Sequence, residues 1–144
     1  MLPLWSLLLV VTAGPASTLP QAPGGVSLDR PCSFVTADEM SSLLGTKVTS
    51  ATDEHFRCKY VVGIGWLETK LLDVSLKNTR DIYDYDKAHG KPVPGVGDQA
   101  YVFGAALVAK VGDVVVDVDG NNLPHPPDDA KLEAIATKIV KRIP

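Results

Sequence analysis

The residues with most chemistry to offer in this chain of 144 are two cysteines, Cys32 and Cys58. Thiolates act as nucleophiles, metal ligands or redox couples, and paired thiols close disulfides. About 26 residues separate these two, no Cys-x-x-Cys occurs and only His55 lies nearby, which makes a poor zinc site. An even number of cysteines in a chain with an export leader, described below, points instead to a structural bridge. Closing a loop of about 26 residues stabilises a fold by roughly 3.5 kcal/mol in the chain-entropy account.

Carboxylates and glycines supply the next candidates. Asp117-Val118-Asp119-Gly120-Asn121 has the density of oxygens that a hard cation wants. It lacks the third oxygen ligand before the glycine and the glutamate six residues after it that a calcium loop uses. The simpler reading puts Asp117 and Asp119 on the outer face of a strand, alternating with Val116 and Val118. Gly95-x-Gly97-x-x-Ala100 resembles a relaxed dinucleotide fingerprint, which works only where a strand enters it and a helix leaves it. Here Pro92 and Pro94 precede it and the strand-like Tyr101-Val102-Phe103 follows, so a turn accounts for the glycines. No phosphate-binding Gly-x-x-x-x-Gly-Lys-Ser/Thr, no His-Glu-x-x-His and no Gly-x-Ser-x-Gly is present. His55, His89 and His125 have no adjacent acid or nucleophile and read as surface histidines. No catalytic residue, metal ligand or cofactor is expected.

Aromatic side chains remain as a binding chemistry. Trp66, Tyr83, Tyr85 and Tyr101 form the candidate ligand or partner surface. Tyr83 and Tyr85 diverge by about 200° on a helix of 3.6 residues per turn, so one of them must face outward.

The elements that position these groups follow from periodicity. Thr36-x-x-Glu39 is a capping box, Val35 and Met40 are placed for a hydrophobic staple, and Gly45 suits a left-handed C-terminal cap. Strands are expected at 47–52 and 56–62. In the second, Phe56, Cys58, Tyr60 and Val62 alternate with charged residues and point inward. Gly63-Ile64-Gly65 is a turn. In the strand expected at 67–77, Glu68 and Lys70 have the opposite parity to Asp73, Ser75 and Lys77, which calls for a bulge near Leu71-Leu72. A helix at 79–89 stops at Gly90. Strands at 99–103, 105–111 and 114–119 follow, the last two joined through Gly112-Asp113, a two-residue hairpin signal. From Pro126 onward Leu132, Ile135, Ala136, Ile139, Val140 and Ile143 share one helical face, with acids at the start and bases at the end. The expected fold class is α+β: a mostly antiparallel, twisted sheet of about five or six strands with N-terminal and C-terminal helices packed on it.

Composition bounds the partners. Hydrophobic residues make up 45% and charged residues 22%, and 14 bases against 17 acids leave a net charge of −3. That balance excludes a basic field for nucleic acid. The first residues carry a short apolar run, Leu7–Val11, too short to span ~30 Å of hydrocarbon and followed by small residues suited to signal-peptide cleavage. Residues 1–16 are expected to be a signal peptide, 17–28 a flexible tether and 29–144 a single domain. A domain of roughly 120 residues buries about two thirds of its unfolded surface and folds without a metal. The mature chain is then exported, secreted or in the cell envelope, with no integral membrane segment.

Asp29-Arg30-Pro31-Cys32-Ser33, Thr36-x-x-Glu39, Leu44-Gly45, Cys58-Lys59-Tyr60, Gly95-Val96-Gly97-Asp98-Gln99-Ala100-Tyr101 and the closing helix together resemble a family of actinobacterial exported proteins, many of them lipoproteins, called domain of unknown function 3558. The resemblance spans about residues 29 to 143. It implies an envelope location, a bridge between the two cysteines and no known catalysis. This chain lacks the leader-end cysteine of the lipoprotein members, so lipid anchoring is not expected. The expectation is a non-catalytic module that binds an unknown protein or small ligand. The alternative is a small secreted hydrolase or an enzyme inhibitor whose site local sequence does not reveal.

Overall fold

A computed structural model describes residues 25–144; the leader expected at 1–16 and most of the tether lie outside the described residues. A single 3₁₀ turn, Pro31–Ser33, leads into helix α1, Ala37–Leu44. The capping box forms as expected: Thr36 Oγ1 accepts from Glu39 N at 3.2 Å, and Thr36 N donates to Glu39 Oε2 at 2.9 Å. Gly45 closes the helix with φ of 70°, and Val35 and Met40 are fully buried where the staple places them. The strands are β1 (Ser50–Glu54), β2 (Arg57–Val62), β3 (Gly65–Asp73), β4 (Lys91–Pro92), β5 (Gln99–Phe103), β6 (Ala106–Val111) and β7 (Val114–Asp119). Helix α2, Lys77–His89, lies between β3 and β4, and α3, Asp129–Arg142, closes the chain.

All seven strands form one antiparallel sheet in the order β1-β2-β3-β7-β6-β5-β4. Two meanders, β1–β3 and β4–β7, meet at the β3–β7 seam, and α2 carries the chain from the middle of the sheet to its far edge. The α+β reading holds, with one strand more than expected. That strand is the two-residue β4, which contains Pro92; a proline cannot donate to a ladder and is tolerated only at such an edge.

The sheet has two unlike faces. One packs against α1 and α3 in the main core, where Cys58, Tyr60, Leu67, Val116 and Val118 meet Leu132, Ile135 and Ile139. The other carries a smaller cluster of Leu72, Val108 and Val115 under Tyr83 of α2. Three expectations need correction here. Pairing of β3 runs without interruption from Arg57↔Lys70 on one side and Asp73↔Val114 on the other, so there is no bulge at Leu71-Leu72. The parity conflict vanishes because the strand ends at Asp73, leaving Ser75 in a turn and Lys77 in α2. Phe56 does not share the inward face of Cys58: it sits in the two-residue β1–β2 turn and is 52% exposed. Asp117 lies on the face opposite Val116 and Val118, as alternation requires, yet it is buried rather than solvated. Alternation reports which face a side chain takes; whether that face is covered depends on tertiary structure.

Candidate functional site

The cysteines form the disulfide, with Cα atoms 4.9 Å apart, tying the 3₁₀ turn to β2. Cys58 is fully buried and Cys32 half-buried. Asp53 Oδ1 accepts from Cys32 N at 2.8 Å, and the Tyr60 hydroxyl donates to Val35 O at 2.7 Å, so polar groups on both sides of the bridge are satisfied. Burial raises the Tyr60 pKa above its ordinary value. This is a structural staple whose Cys58 half is closed to solvent.

The aromatic candidates separate. Tyr83, Tyr85 and Tyr101 gather where α2 crosses β5, while Trp66 lies away from them on β3. Tyr83 and Tyr101 meet edge to face at 6.0 Å, and the Tyr83 hydroxyl donates to Gln99 Oε1 at 2.7 Å. Tyr85 is the outward one of the helical pair; it stacks on His89 at 4.2 Å and meets Phe103 at 5.5 Å. Trp66 donates to Glu68 Oε1 at 3.0 Å, and Lys59 Nζ sits 4.6 Å from its ring centroid. Each of the four is engaged by a neighbour.

Gly95 and Gly97 adopt φ of 83° and 59° in the turn between β4 and β5. A Cβ on Gly97 would meet Lys110 O at 2.7 Å. A strand leaves this turn, so no helix N-terminus is presented to a phosphate.

A candidate site that sequence reasoning missed lies at the end of the sheet where β2 begins, β3 ends and β7 begins. An open cleft of about 1110 Å³ is lined by Leu28, Phe56, Leu71, Leu72, Leu76 and Ile82, among others. Small-molecule sites typically enclose ~300–1,000 Å³ behind mostly apolar walls. Four of the seven exposed large hydrophobic side chains among the described residues, Leu28, Phe56, Leu76 and Ile82, line this cleft. Their origins are local. His55 takes the left-handed conformation, φ 58°, in the β1–β2 turn and so presents Phe56 outward; Leu71 N donates to Phe56 O at 3.1 Å and anchors that turn on β3. Leu76 is the N-cap of α2, in extended conformation and with no side-chain capping bond. Ile82 lies one turn and a half further along.

Charges line the same wall. Arg57 and Lys70 pair across β2–β3, both half-buried. Arg57 bonds Glu54 Oε2 at 2.8 Å and Glu68 Oε1 at 3.2 Å. Lys70 Nζ stands 3.6 Å from both Glu68 Oε2 and Asp117 Oδ2, within ion-pair distance but beyond hydrogen-bond reach. Burial pushes the Asp117 carboxyl up to about 6, with Lys70 opposing and Asp119 and Asp86 adding to the rise. Burial also raises the pKa of Asp86, and Asp119 reinforces it. A carboxyl near 6 has the value of a general acid or base, but the groups that act on this one are Lys70 and two further carboxylates rather than a nucleophile. Among the described residues no group of three His, Cys, Asp or Glu side chains could hold a metal ion. No helix of the described residues is long and apolar enough to cross a membrane.

No family model, no curated protein and no solved structure matches this chain.

Proposed function

We propose that the protein is an exported, non-catalytic binding module of the cell envelope or the secreted fraction, and that the cleft walled by Leu28, Phe56, Leu76 and Ile82 is its ligand site. The observation that carries this reading is the concentration of exposed large apolar side chains in one concavity. Water-exposed apolar surface is stabilised by cover, and contiguous patches of it mark binding sites. The disulfide agrees with an oxidising compartment. Membership of the actinobacterial exported family belongs to the same proposal and rests on the sequence resemblance.

Native mass spectrometry of the protein purified from its own host should find a retained apolar molecule, and Leu76→Asp should lose it. That substitution places a charge in the apolar wall while supplying the N-cap side chain α2 lacks, so loss of ligand would not reflect loss of the helix. If Leu76→Asp retains the molecule at full occupancy, the ligand sits elsewhere.

A further inference from the structure

Apolar walls alone do not choose among apolar ligands; the charges beside them do. The acids lining the cleft, Asp29, Asp73 and Asp113, are all exposed, so water screens them heavily. Of the cations that line it, Lys77 is exposed and paired with Asp81 at 2.6 Å, and the Arg57 side chain is 41% exposed, whereas Lys70 is the most buried of the three, where a charge acts in a lower effective dielectric. Arg57 is already committed to Glu54 and Glu68 by bonds of 2.8–3.2 Å. Lys70 is not. Its ammonium has three donors, its side chain is 21% exposed, and both carboxylates near it stand at 3.6 Å. It is the cation of this wall with donors left to give.

We propose that the cleft takes a single-chain amphiphile with an anionic head group, the apolar body lying against Leu28, Phe56, Leu76 and Ile82 and the head group on Lys70. This rests on the cleft being the binding site. A second consequence follows from what faces Lys70. Asp117 competes with the head group for the same ammonium. The charged groups around Asp117 are Lys70 and, beyond it, Glu68 on β3, Asp119 on its own strand and Asp86 on α2; β6 presents the uncharged Val108. Protonating Asp117 leaves Lys70 with less compensation, so an anionic ligand binds more tightly in acid.

The probes are decanesulfonate, which stays anionic throughout, decanol and decyltrimethylammonium, all kept monomeric and titrated calorimetrically into the folded protein. Decanesulfonate should bind at one per chain and tighten severalfold from pH 8 to pH 5, while decanol stays level. Lys70→Gln should weaken decanesulfonate roughly tenfold, the low end for a charge-assisted hydrogen bond, and leave decanol unchanged; Lys70→Arg should restore most of the loss. Asp117→Asn should bind decanesulfonate at pH 8 as the unmodified protein does at pH 5. Equal affinity for decanesulfonate and decanol, unmoved by Lys70→Gln, would sink the head-group assignment and leave the apolar cleft standing. Tightest binding of decyltrimethylammonium would reverse its sign and also overturn it. No binding of any of the three would remove the cleft reading itself.

Discussion

The two faces of this sheet solve the same packing problem with different completeness. On the α1–α3 face every device closes the structure. Arg142 grips Glu39 with two parallel bonds, 2.7 Å from Nη2 to Oε1 and 2.9 Å from Nη1 to Oε2, and Nη1 also donates to Phe34 O at 2.6 Å. Glu39 at the same time completes the capping box of α1. One carboxylate thus ties the start of the first helix to the end of the last. On the α2 face, a helix with only Thr79 and Tyr83 buried covers part of the sheet. It leaves a buried carboxyl beside a half-committed lysine, and a cleft at its uncapped end. The first face is closed by these contacts, and the second leaves apolar side chains exposed and a lysine loosely paired.

The largest test of that contrast is removal of the staple. Replacing Cys32 and Cys58 together by alanine should cost about 2–5 kcal/mol in denaturant unfolding, a larger loss than any single change on the α2 face. Non-reducing mass analysis should show the native chain two hydrogens lighter than its reduced formula. Rapid alkylation of both cysteines in the folded protein would contradict the burial of Cys58.

Next in size is the Glu39 clamp. Hydrogen bonding by Arg142 is the largest cause of the fall in the Glu39 pKa to about 2, with Thr36 N and Lys138 assisting and burial opposing. A carboxyl lowered in the folded state contributes stability that is complete above its unfolded value of 4.5 and is lost as pH falls through 4.5 toward 2. Glu39 is 28% exposed, so solvent screening reduces the effect to about 1–2 kcal/mol. Glu39→Gln should lower stability by that amount at pH 7 and by almost nothing at pH 2, measured by urea midpoints at the two pH values.

How far each face was legible in the sequence follows from how locally it is encoded. The capping box Thr36–Glu39, the Gly45 cap, the apolar stripe of α3 and the strands Gln99–Phe103 and Val114–Asp119 are patterns within about a dozen residues, and each formed where expected. Cys32 and Cys58 needed only parity and composition. The cleft draws on residues near 28, 56, 70–82 and 113, which meet only because α2 carries the chain across the sheet; nothing local encodes that route. The burial of Asp117 escaped for the same reason, since it depends on what packs over its face of the sheet. Two signals were present all the same. A large apolar phenylalanine in an exposed two-residue hairpin turn and a leucine at a helix N-cap, where Ser, Thr, Asp or Asn is preferred, are both unusual local choices.

On the open face the sign reverses. Asp117 has a pKa raised from 3.8 to about 6, so the folded protein holds this proton more tightly than the unfolded chain does. Stability from this group is therefore greatest below 3.8, falls as pH rises from 3.8 through 6, and stays at its lower value above. Asp117→Asn should raise stability at pH 8 by about 1–2 kcal/mol, less than the full linkage value because Lys70 loses a partner, and should flatten the pH profile between 4 and 6. A variant less stable than the native protein at pH 8 would show that Asp117 holds the face together through Lys70 rather than straining it.

The smallest effect bears most directly on what the open face is for. Leu76 caps α2 without a side-chain bond, no acid lies in the first turn of that helix, and the side chain is 57% exposed. Its burial therefore stabilises little, and an aspartate there would accept a backbone N–H and meet the positive end of the helix dipole. If packing alone selected this residue, Leu76→Asp would be a loss. If the cleft selected it, the substitution should raise the unfolding free energy by about 0.5–1 kcal/mol while abolishing binding of apolar ligands, a gain in stability at the expense of function. Thermal unfolding and ligand titration on the same preparation measure both. A destabilised variant that still binds would mean that Leu76 supports α2 from below and that the α2 face, like the other, is selected for packing.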